Sequence, residues 1–261
     1  MEFQTLQLTQ EGYVATVWLN RPDVRNAFNE TSIAEIAQVF DMLDECTGVR
    51  AVVLAARGPA FCAGADLNWM RRMAGYSHAE NVDDAGQLAR MLRSIYRCAK
   101  PVVARIQGDC YAGGVGLAAA CDVVVAAEGV KFCLSEVKLG LIPATISPYV
   151  IKALGEQAAR RYFLTAEIIP AAEAHRIGFV HELAPDGALN ERVAGIVRAL
   201  LLASPNAVGE AKRLVQDVAS RPVDDGLVAD TVDRIADIRA SDDGREGIQS
   251  FLDKRKPAWC R

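Results

Sequence analysis

The chain has 261 residues, of which 51% are hydrophobic and 24% are charged. This composition is typical of an ordinary globular protein and leaves no room for a long disordered tail. The net charge is −4 and the 29 Lys and Arg residues are spread along the chain, which argues against binding to nucleic acid or to an anionic membrane.

The N-terminal residues 1–8 alternate polar and apolar side chains and carry an acid, whereas a signal peptide is first basic and then apolar. No apolar run reaches the length that a membrane-spanning helix needs. We therefore expect a cytoplasmic location and no contact with a membrane.

The number of cysteines is odd, and no CxxC pair suggests zinc binding or redox chemistry. The seven cysteines stand at positions 46, 62, 98, 110, 121, 133 and 260. The histidines, His78, His175 and His181, do not have HExxH spacing. The sequence thus predicts buried, reduced thiols, with neither a metal site nor a bound cofactor.

The first half of the chain alternates strand and helix patterns. Runs rich in β-branched residues predict strands at 14–19, 49–55, 102–106 and 123–126. Apolar residues at helical spacing predict helices at about 31–46 and 83–98. This alternation favours an α/β fold in which the strands pair in parallel.

Beyond Gly155 the strand pattern weakens. Helices are predicted at 156–164, 171–176 and 189–202, with one short strand at 178–183. From Asn206 onward the pattern is helical, with breaks at 221–222 and 241–244. We therefore predict a core of residues 1–203 and a helical region of residues 204–261, with the boundary in the turn at 203–206.

The first candidate motif is FCAGAD, residues 61–66, which lies between a predicted strand and a helical segment. Small residues let backbone N–H groups approach a ligand closely, and Asp66 is placed to cap the helix that follows. Turns of this kind are also common as plain connections between a strand and a helix.

The second motif is AGGVGLA, residues 112–118, between a strand end and an apolar helix. Free N–H groups at a helix start stabilise negative charge that develops on an oxygen, and Gly113 is the natural donor. The glycines could instead serve only close helix packing. Residues 114–119 also fit a loose dinucleotide-binding pattern, but these glycines begin too far beyond the strand for that interpretation.

The third motif is FCLSEVKLGLIP, residues 132–143, which contains Glu136. A carboxylate among apolar neighbours tends to have a raised pKa, which suits a group that takes and returns a proton near neutral pH. A surface glutamate at a strand end is the alternative. No GxSxG motif occurs, and Cys110 and Cys133 are expected to be core thiols and not nucleophiles.

In order and spacing, the segments at 61–66, 107–122 and 132–143 resemble the enoyl-CoA hydratase/isomerase (crotonase) superfamily. The similarity extends from Asn20 to Pro257. It implies an α/β, crotonase-like spiral of ββα units followed by a C-terminal helical trimerisation region. It also implies an acyl-CoA substrate and assembly as a homotrimer or a dimer of trimers.

The resemblance further implies roles for individual residues. The N–H groups of Ala63 and Gly113 would bind the thioester oxygen, and Glu136 would be the acid and base. Residues proposed to bind the substrate or its CoA moiety are Arg25, Ala63, Gly64, Ala65, Asp66, Leu67, Gly113, Gly114, Lys254 and Lys256. For the two tail lysines a solvated chain end is an equally good explanation.

One position departs from the family pattern. Many hydratases of the family carry a second glutamate on the glycine-rich helix, where this chain has Gly116. Within the family the chain most resembles bacterial methylglutaconyl-CoA hydratases of leucine breakdown, which implies addition of water to a 2-enoyl-CoA by a single glutamate. A carboxylate on the substrate tail would then meet Arg71, Arg72 or Lys138.

Two alternatives stay open. In a Δ3,Δ2-enoyl-CoA isomerase, Glu136 would move a proton between carbons without adding water, for which one carboxylate suffices. A chain that had lost activity with its first glutamate would be a non-catalytic acyl-CoA-binding protein.

Overall fold

The computed structural model describes residues 3–260. Met1 and Glu2, which belong to the N-terminal pattern and to the predicted core, lie outside the described residues. So does Arg261, the last residue of the predicted helical region.

Residues 3–184 form mixed α and β structure, and the residues from 185 to 260 form helices and their connections. The strands are β1 Leu6–Glu11, β2 Val14–Leu19, β3 Ala51–Ala56, β4 Val102–Ile106, β5 Cys110–Tyr111, β6 Val123–Ala127, β7 Lys131–Cys133, β8 Ile169–Pro170 and β9 Glu182–Ala184. The α-helices are α1 Glu30–Glu45, α2 Leu67–Met73, α3 His78–Arg97, α4 Gly113–Ala119, α5 Ser147–Leu154, α6 Glu156–Thr165, α7 Ala171–Arg176, α8 Leu189–Leu202, α9 Pro205–Val218, α10 Asp225–Ala240 and α11 Asp242–Leu252. Short 3-10 helices occupy Pro22–Val24, Glu136–Leu139 and Ala258–Cys260.

The larger sheet has the order β1-β2-β3-β4-β6-β9. The strands β2, β3, β4, β6 and β9 run parallel to one another, which confirms the predicted α/β fold with parallel pairing. The strand β1, which the sequence patterns did not single out, pairs antiparallel with β2. Because consecutive strands lie side by side, the chain advances across the sheet in a spiral.

The smaller sheet has the order β5-β7-β8 and continues the same spiral. In successive turns of the spiral, β4 in the larger sheet is followed by β5 in the smaller one, and β6 is followed by β7. The segment that follows β3 lies beside β5 in the same way, through a parallel bridge between Cys62 and Cys110. Each of these turns thus gives one segment to each sheet before a helical segment begins. This is the ββα repeat that the resemblance implies.

Both faces of the larger sheet are covered at its centre, where every residue of β3 is buried. The helices α1 and α3 pack on one face, where Val52 and Leu54 join the main core, and α8 covers the other, where Val53 and Ala55 join a second cluster. A strand buried on both sides has no polar face, which explains the continuous apolar sequence of β3.

Several helix boundaries follow from capping. The helix α3 begins at His78, five residues before the predicted start, because Ser77 and Glu80 form a capping box there. The predicted break at 221–222 is confirmed, since α9 ends at Val218 and α10 begins at Asp225. The predicted break at 241–244 is wrong in extent: Ser241 alone separates the two helices, and its side chain caps α11, which already begins at Asp242.

All seven cysteines lie in the described part of the chain as free thiols, and Cys62, Cys98, Cys110 and Cys133 are buried. No helix within residues 3–260 is both long and apolar enough to span a bilayer.

Candidate active site

The three sequence motifs converge at one edge of the smaller sheet. Residues 62, 110–111 and 132–133 run in parallel, so the residues that follow each segment emerge at the same edge. The second and third motifs are joined there by a hydrogen bond of 2.7 Å from the Ala112 N–H to the Cys133 carbonyl oxygen. The first and second motifs touch, since a Cβ built on Gly64 would lie 3.1 Å from the Cβ of Ala112.

The first turn, residues 61–66, presents one backbone N–H without an acceptor. Phe28 bridges the turn, because its N–H donates to the Gly64 carbonyl (2.9 Å) and its own carbonyl accepts from the Asp66 N–H (3.0 Å). In such a bridge the N–H of the central residue, Ala65, points away from Phe28, and it meets no acceptor among residues 3–260.

This geometry corrects the choice of donor made from the sequence. The Ala63 N–H donates to the Arg25 carbonyl oxygen at 3.0 Å and is therefore not available to a substrate oxygen. Within the turn the available N–H is that of Ala65, two residues further on.

The carboxylate of Asp66 is committed to holding the turn in place. Its Oδ2 forms a salt bridge of 2.9 Å with Arg21, and its Oδ1 accepts from the N–H groups of Asn68 and Trp69 at the start of α2. The predicted helix cap is confirmed. With both carboxylate oxygens engaged, Asp66 acts on the site through the shape of the turn.

The second turn leads into α4 through a strained residue. Ala112 has φ 49° and ψ −121°, a left-handed region that favours glycine. It places Gly113 at the first position of α4, where the Gly113 N–H finds no acceptor in the described part of the chain. Backbone strain of this kind is frequent where a protein holds a group in position for function.

Glu136 opens the 3-10 helix that follows β7. Burial raises the pKa of its carboxyl group above the ordinary value, and its own backbone N–H lowers the pKa to a smaller extent. The oxygen Oε2 is buried and meets no hydrogen-bond partner within residues 3–260. An ionised carboxylate in this setting is a stronger base than one in water.

Not all of the expected apolar neighbours enclose Glu136. Leu134 is buried, but Leu139, Leu141 and Ile142 are more than half exposed. Their exposure instead gives the edge of the site an apolar surface.

Gly116 has no room for a side chain. A Cβ at this position would lie 2.2 Å from Cγ2 and 2.7 Å from Cβ of Ile146, which is itself buried. The isoleucine therefore occupies the space where a second carboxylate would begin. In this chain Glu136 is the carboxylate that the three motifs bring to the edge.

The residues predicted to bind CoA do not all come together. Arg25 is exposed and lies beside the first turn, held there by the hydrogen bond from Ala63. The tail that carries Lys254 and Lys256 is anchored at the start of β3, where Arg50 donates to the Trp259 carbonyl (3.0 Å). Since the first turn follows the end of β3, the two lysines do not join Arg25 within one chain.

Three contributors to the site were not found by sequence reasoning: Ala65 as a donor, Phe28 as the bridge and Ile146 as the filler of the space at Gly116. Each of them depends on contacts between distant segments. Within residues 3–260 no group of three or more His, Cys, Asp or Glu is arranged to hold a metal ion.

Comparison with known proteins gives consistent results over almost the whole chain. The family model described as enoyl-CoA hydratase/isomerase matches residues 9–261. A Thermus thermophilus protein, provisionally named an enoyl-CoA hydratase, is 36% identical over 250 residues, which cover 96% of this chain and 98% of the relative. The crotonyl-CoA hydratase of Syntrophomonas wolfei is 30% identical over 258 residues, 98% of each chain. The crystal structure of an enoyl-CoA hydratase from Shewanella pealeana superposes with a TM-score of 0.96 at 40% identity and covers 99% of this chain and 97% of its own.

Proposed function

The chain belongs to the enoyl-CoA hydratase/isomerase family, and on that premise we propose that it adds water across the 2,3-double bond of a 2-enoyl-CoA, with Glu136 as its acid and base. The observation that carries the proposal is the half-buried Glu136 carboxylate, with its raised pKa and its buried, unpartnered oxygen, at the edge where two backbone N–H groups of the described chain also lack acceptors. The names of the relatives support the same reaction.

The proposed roles follow from the chemistry of a conjugated thioester. The N–H groups of Ala65 and Gly113 donate to the thioester oxygen and stabilise the enolate that forms when the β-carbon is attacked. Ionised Glu136 takes a proton from water as the water oxygen bonds to the β-carbon. The neutral Glu136 then gives that proton to the α-carbon, which regenerates the carboxylate and completes the addition of H and OH.

The test is turnover by Glu136→Gln, followed by the loss of the conjugated thioester absorbance of a 2-enoyl-CoA. General acid and base catalysis contributes about 10²- to 10⁴-fold, so we expect kcat to fall by at least about a hundredfold. The matched control is Glu128→Gln, at an exposed glutamate beyond the end of β6. Wild-type turnover by a folded Glu136→Gln protein would exclude Glu136 from this role.

One observation favours a second candidate function. Because Ile146 fills the space at Gly116, a single carboxylate serves the site, and one carboxylate suffices for a Δ3,Δ2-isomerase. Purified protein should be supplied with 2-enoyl-CoA and 3-enoyl-CoA separately. A hydratase converts the 2-enoyl ester into a 3-hydroxyacyl ester, whereas an isomerase converts the 3-enoyl ester and produces no hydroxy product.

For the acyl group we propose a short, branched glutaconyl type such as methylglutaconyl-CoA, whose tail carboxylate needs a cation. Arg72 is paired with Glu30, and the Lys138 ammonium donates to the Ala166 carbonyl. Arg71 is exposed, and among residues 3–260 its one hydrogen-bond partner is the Asn68 amide oxygen. It is therefore the best placed of the three to exchange its partner for a carboxylate.

This choice predicts that Arg71→Gln raises KM for a glutaconyl-type ester and leaves KM for crotonyl-CoA unchanged. Arg72→Gln is the matched control at the next position. An equal effect of Arg71→Gln on both esters would exclude a contact with the tail carboxylate.

A further inference from the structure

Phe28 contacts both turns that supply the proposed N–H donors. It is 3% exposed, and its backbone brackets Ala65 by the two hydrogen bonds to Gly64 and from Asp66. Among residues 3–260, these are the two backbone hydrogen bonds that join Gly64 and Asp66, the residues on either side of Ala65, to another segment of the chain. The orientation of the Ala65 N–H therefore depends on where Phe28 lies.

The ring of Phe28 lies against Gly113 in the second turn. A Cβ at Gly113 would approach the ring atom Cζ to 2.3 Å and the Cε1 and Cε2 atoms to 3.2 Å. Gly113 does not have a positive φ, so it is the ring, and not the backbone conformation, that excludes a side chain here. The Gly113 backbone thus rests directly on the aromatic ring.

The Phe28 ring also contacts a second aromatic ring. Trp69 packs against Phe28 with ring centroids 6.1 Å apart and planes tilted by 53°. Trp69 is 3% exposed, and its indole N–H donates to Asp84 on α3 at 3.0 Å. A chain of buried contacts therefore runs from α3 through two aromatic rings to Gly113.

We propose that Phe28 is a positioning residue that sets the separation and direction of the Ala65 and Gly113 N–H groups. Its backbone fixes one donor and its ring fixes the other, so one residue sets the width of the gap in which the thioester oxygen binds. The strength of a hydrogen bond falls steeply with misalignment, and small displacements in a site reduce catalysis strongly. This inference rests on the proposed function.

The first test is Phe28→Leu, which keeps an apolar side chain and the backbone hydrogen bonds but removes the ring from Gly113. Loss of alignment at one donor is expected to lower kcat by about 10- to 100-fold, since complete loss of a donor costs about 10²- to 10³-fold. KM should change by less than about threefold, because the Phe28 side chain is not one of the residues proposed to bind CoA. Phe40→Leu is the matched control, since Phe40 is fully buried on α1, a helix that belongs to neither turn.

A spectroscopic readout separates positioning from general destabilisation. The absorbance of bound cinnamoyl-CoA shifts to the red when hydrogen-bond donors polarise its thioester carbonyl. Wild type and Phe40→Leu should produce the same shift, and Phe28→Leu a smaller one. If Phe28→Leu matches Phe40→Leu in both kcat and red shift, Phe28 has only a packing role and the proposal is overturned.

The second test is a double-mutant cycle with Gly113→Ala, which retains the N–H at position 113. The added methyl group should displace the Phe28 ring and lower kcat. Once Phe28→Leu has removed the ring, the same methyl group should be tolerated. The kcat of the double variant should therefore be higher than the value obtained by multiplying the fold-losses in kcat of the two single variants. Independent, multiplicative effects would contradict contact through the ring.

The outcomes distinguish this inference from the proposed function. Absence of any red shift with wild-type protein, or full activity of Glu136→Gln, would overturn the proposed site itself. A normal red shift and an inactive Glu136→Gln, together with an unaltered Phe28→Leu, would overturn only the role of Phe28.

Discussion

At the scale of single residues, Glu136 combines two properties that disfavour folding. Its carboxyl group is removed from water enough to raise its pKa, and its Oε2 atom meets no partner in the described chain. Buried polar atoms without partners destabilise proteins and are rare. A residue that lowers stability in this way is best explained by a role in which the free oxygen meets the attacking water.

The first prediction concerns how Glu136 links stability to pH. Because the folded-state pKa lies above the ordinary value of 4.5, the native protein binds this proton more tightly than the unfolded chain does. Below pH 4.5 the carboxyl is neutral in both states and costs nothing, and the destabilisation appears as pH rises through the raised pKa. Glu136→Gln should therefore be more stable than wild type at pH 8, with the difference in Tm vanishing below pH 4.5.

The same ionisation should govern activity. If the ionised carboxylate is the base, as proposed, kcat/KM should fall as pH decreases through the raised pKa of Glu136, in the range where the difference in Tm disappears. Thermal unfolding and kinetics of both proteins between pH 4 and pH 8 would check this. A difference in Tm that is constant over this range would show that Glu136 does not titrate with a raised pKa.

The second prediction concerns the strained Ala112. A non-glycine residue in a sparsely populated backbone region costs about 1–3 kcal/mol, and a β-branched residue at positive φ is strongly disfavoured. Ala112→Gly should keep activity and change stability by less than about 1 kcal/mol, because relief of strain is offset by the flexibility of glycine in the unfolded chain. Ala112→Val should lower both Tm and kcat. Equal behaviour of the two variants in urea unfolding and in turnover would show that this backbone geometry is not required.

Residue identity alone predicted part of the site. The motif around Glu136 and the glycines before α4 indicated a carboxylate and a backbone donor because those residue types limit the chemistry. The choice between Ala63 and Ala65 could not be made from the sequence. It depends on which N–H meets the carbonyl of Arg25, a contact across 38 residues of chain.

At the scale of elements, α4 and α5 meet where Gly116 faces Ile146. The close approach makes glycine at 116 and isoleucine at 146 a matched pair, because a larger residue at one position requires a smaller one at the other. Sequence reasoning identified Gly116 as a departure from the family pattern. The complementary residue lies 30 positions away and could not be recognised without the fold.

The third prediction is a double-mutant cycle across this contact. Gly116→Ala alone should destabilise the protein by about 1–3 kcal/mol, the usual effect of overpacking a core. Ile146→Ala should also destabilise it, by leaving a cavity. Combined, the two changes should cost less than their sum when the free energy of unfolding is measured in urea. Strict additivity would show that the two residues do not compete for the same space.

How well the sequence predicted each strand depended on the length and composition of that strand. The strands β2 and β4 match the sequence-based bounds because β-branched runs define them, and β6 differs by one residue. The strands β5, β7 and β8 have only two or three residues each and exist because the spiral brings them side by side. No local pattern marks such short strands, although they form the edge from which the site is built.

At the scale of the whole molecule, the C-terminal helices leave apolar surface uncovered. The helices α9 and α10 border a groove of about 550 Å³ lined in part by Leu214, Ile235 and Ile238. Val232, which follows the lining residue Thr231 on α10, is 57% exposed, and Phe251 on α11 is 82% exposed. Exposed apolar surface of this extent is typical of a protein interface, which agrees with the self-association expected from the family.

The last prediction is that copies of this chain associate through the C-terminal helices as a trimer or a dimer of trimers. Val232→Asp places a charge on the exposed face of α10 and should reduce the mass measured by light scattering towards that of one chain. Val82→Asp is the matched control on α3, because Val82 is 56% exposed and receives the same charge. Since Lys254 and Lys256 do not reach Arg25 within one chain, they would contact CoA only across such an interface, and Val232→Asp should then also raise KM for the CoA ester. A wild-type protein that is monomeric at micromolar concentration, or a Val232→Asp protein that assembles as wild type does, would contradict this arrangement.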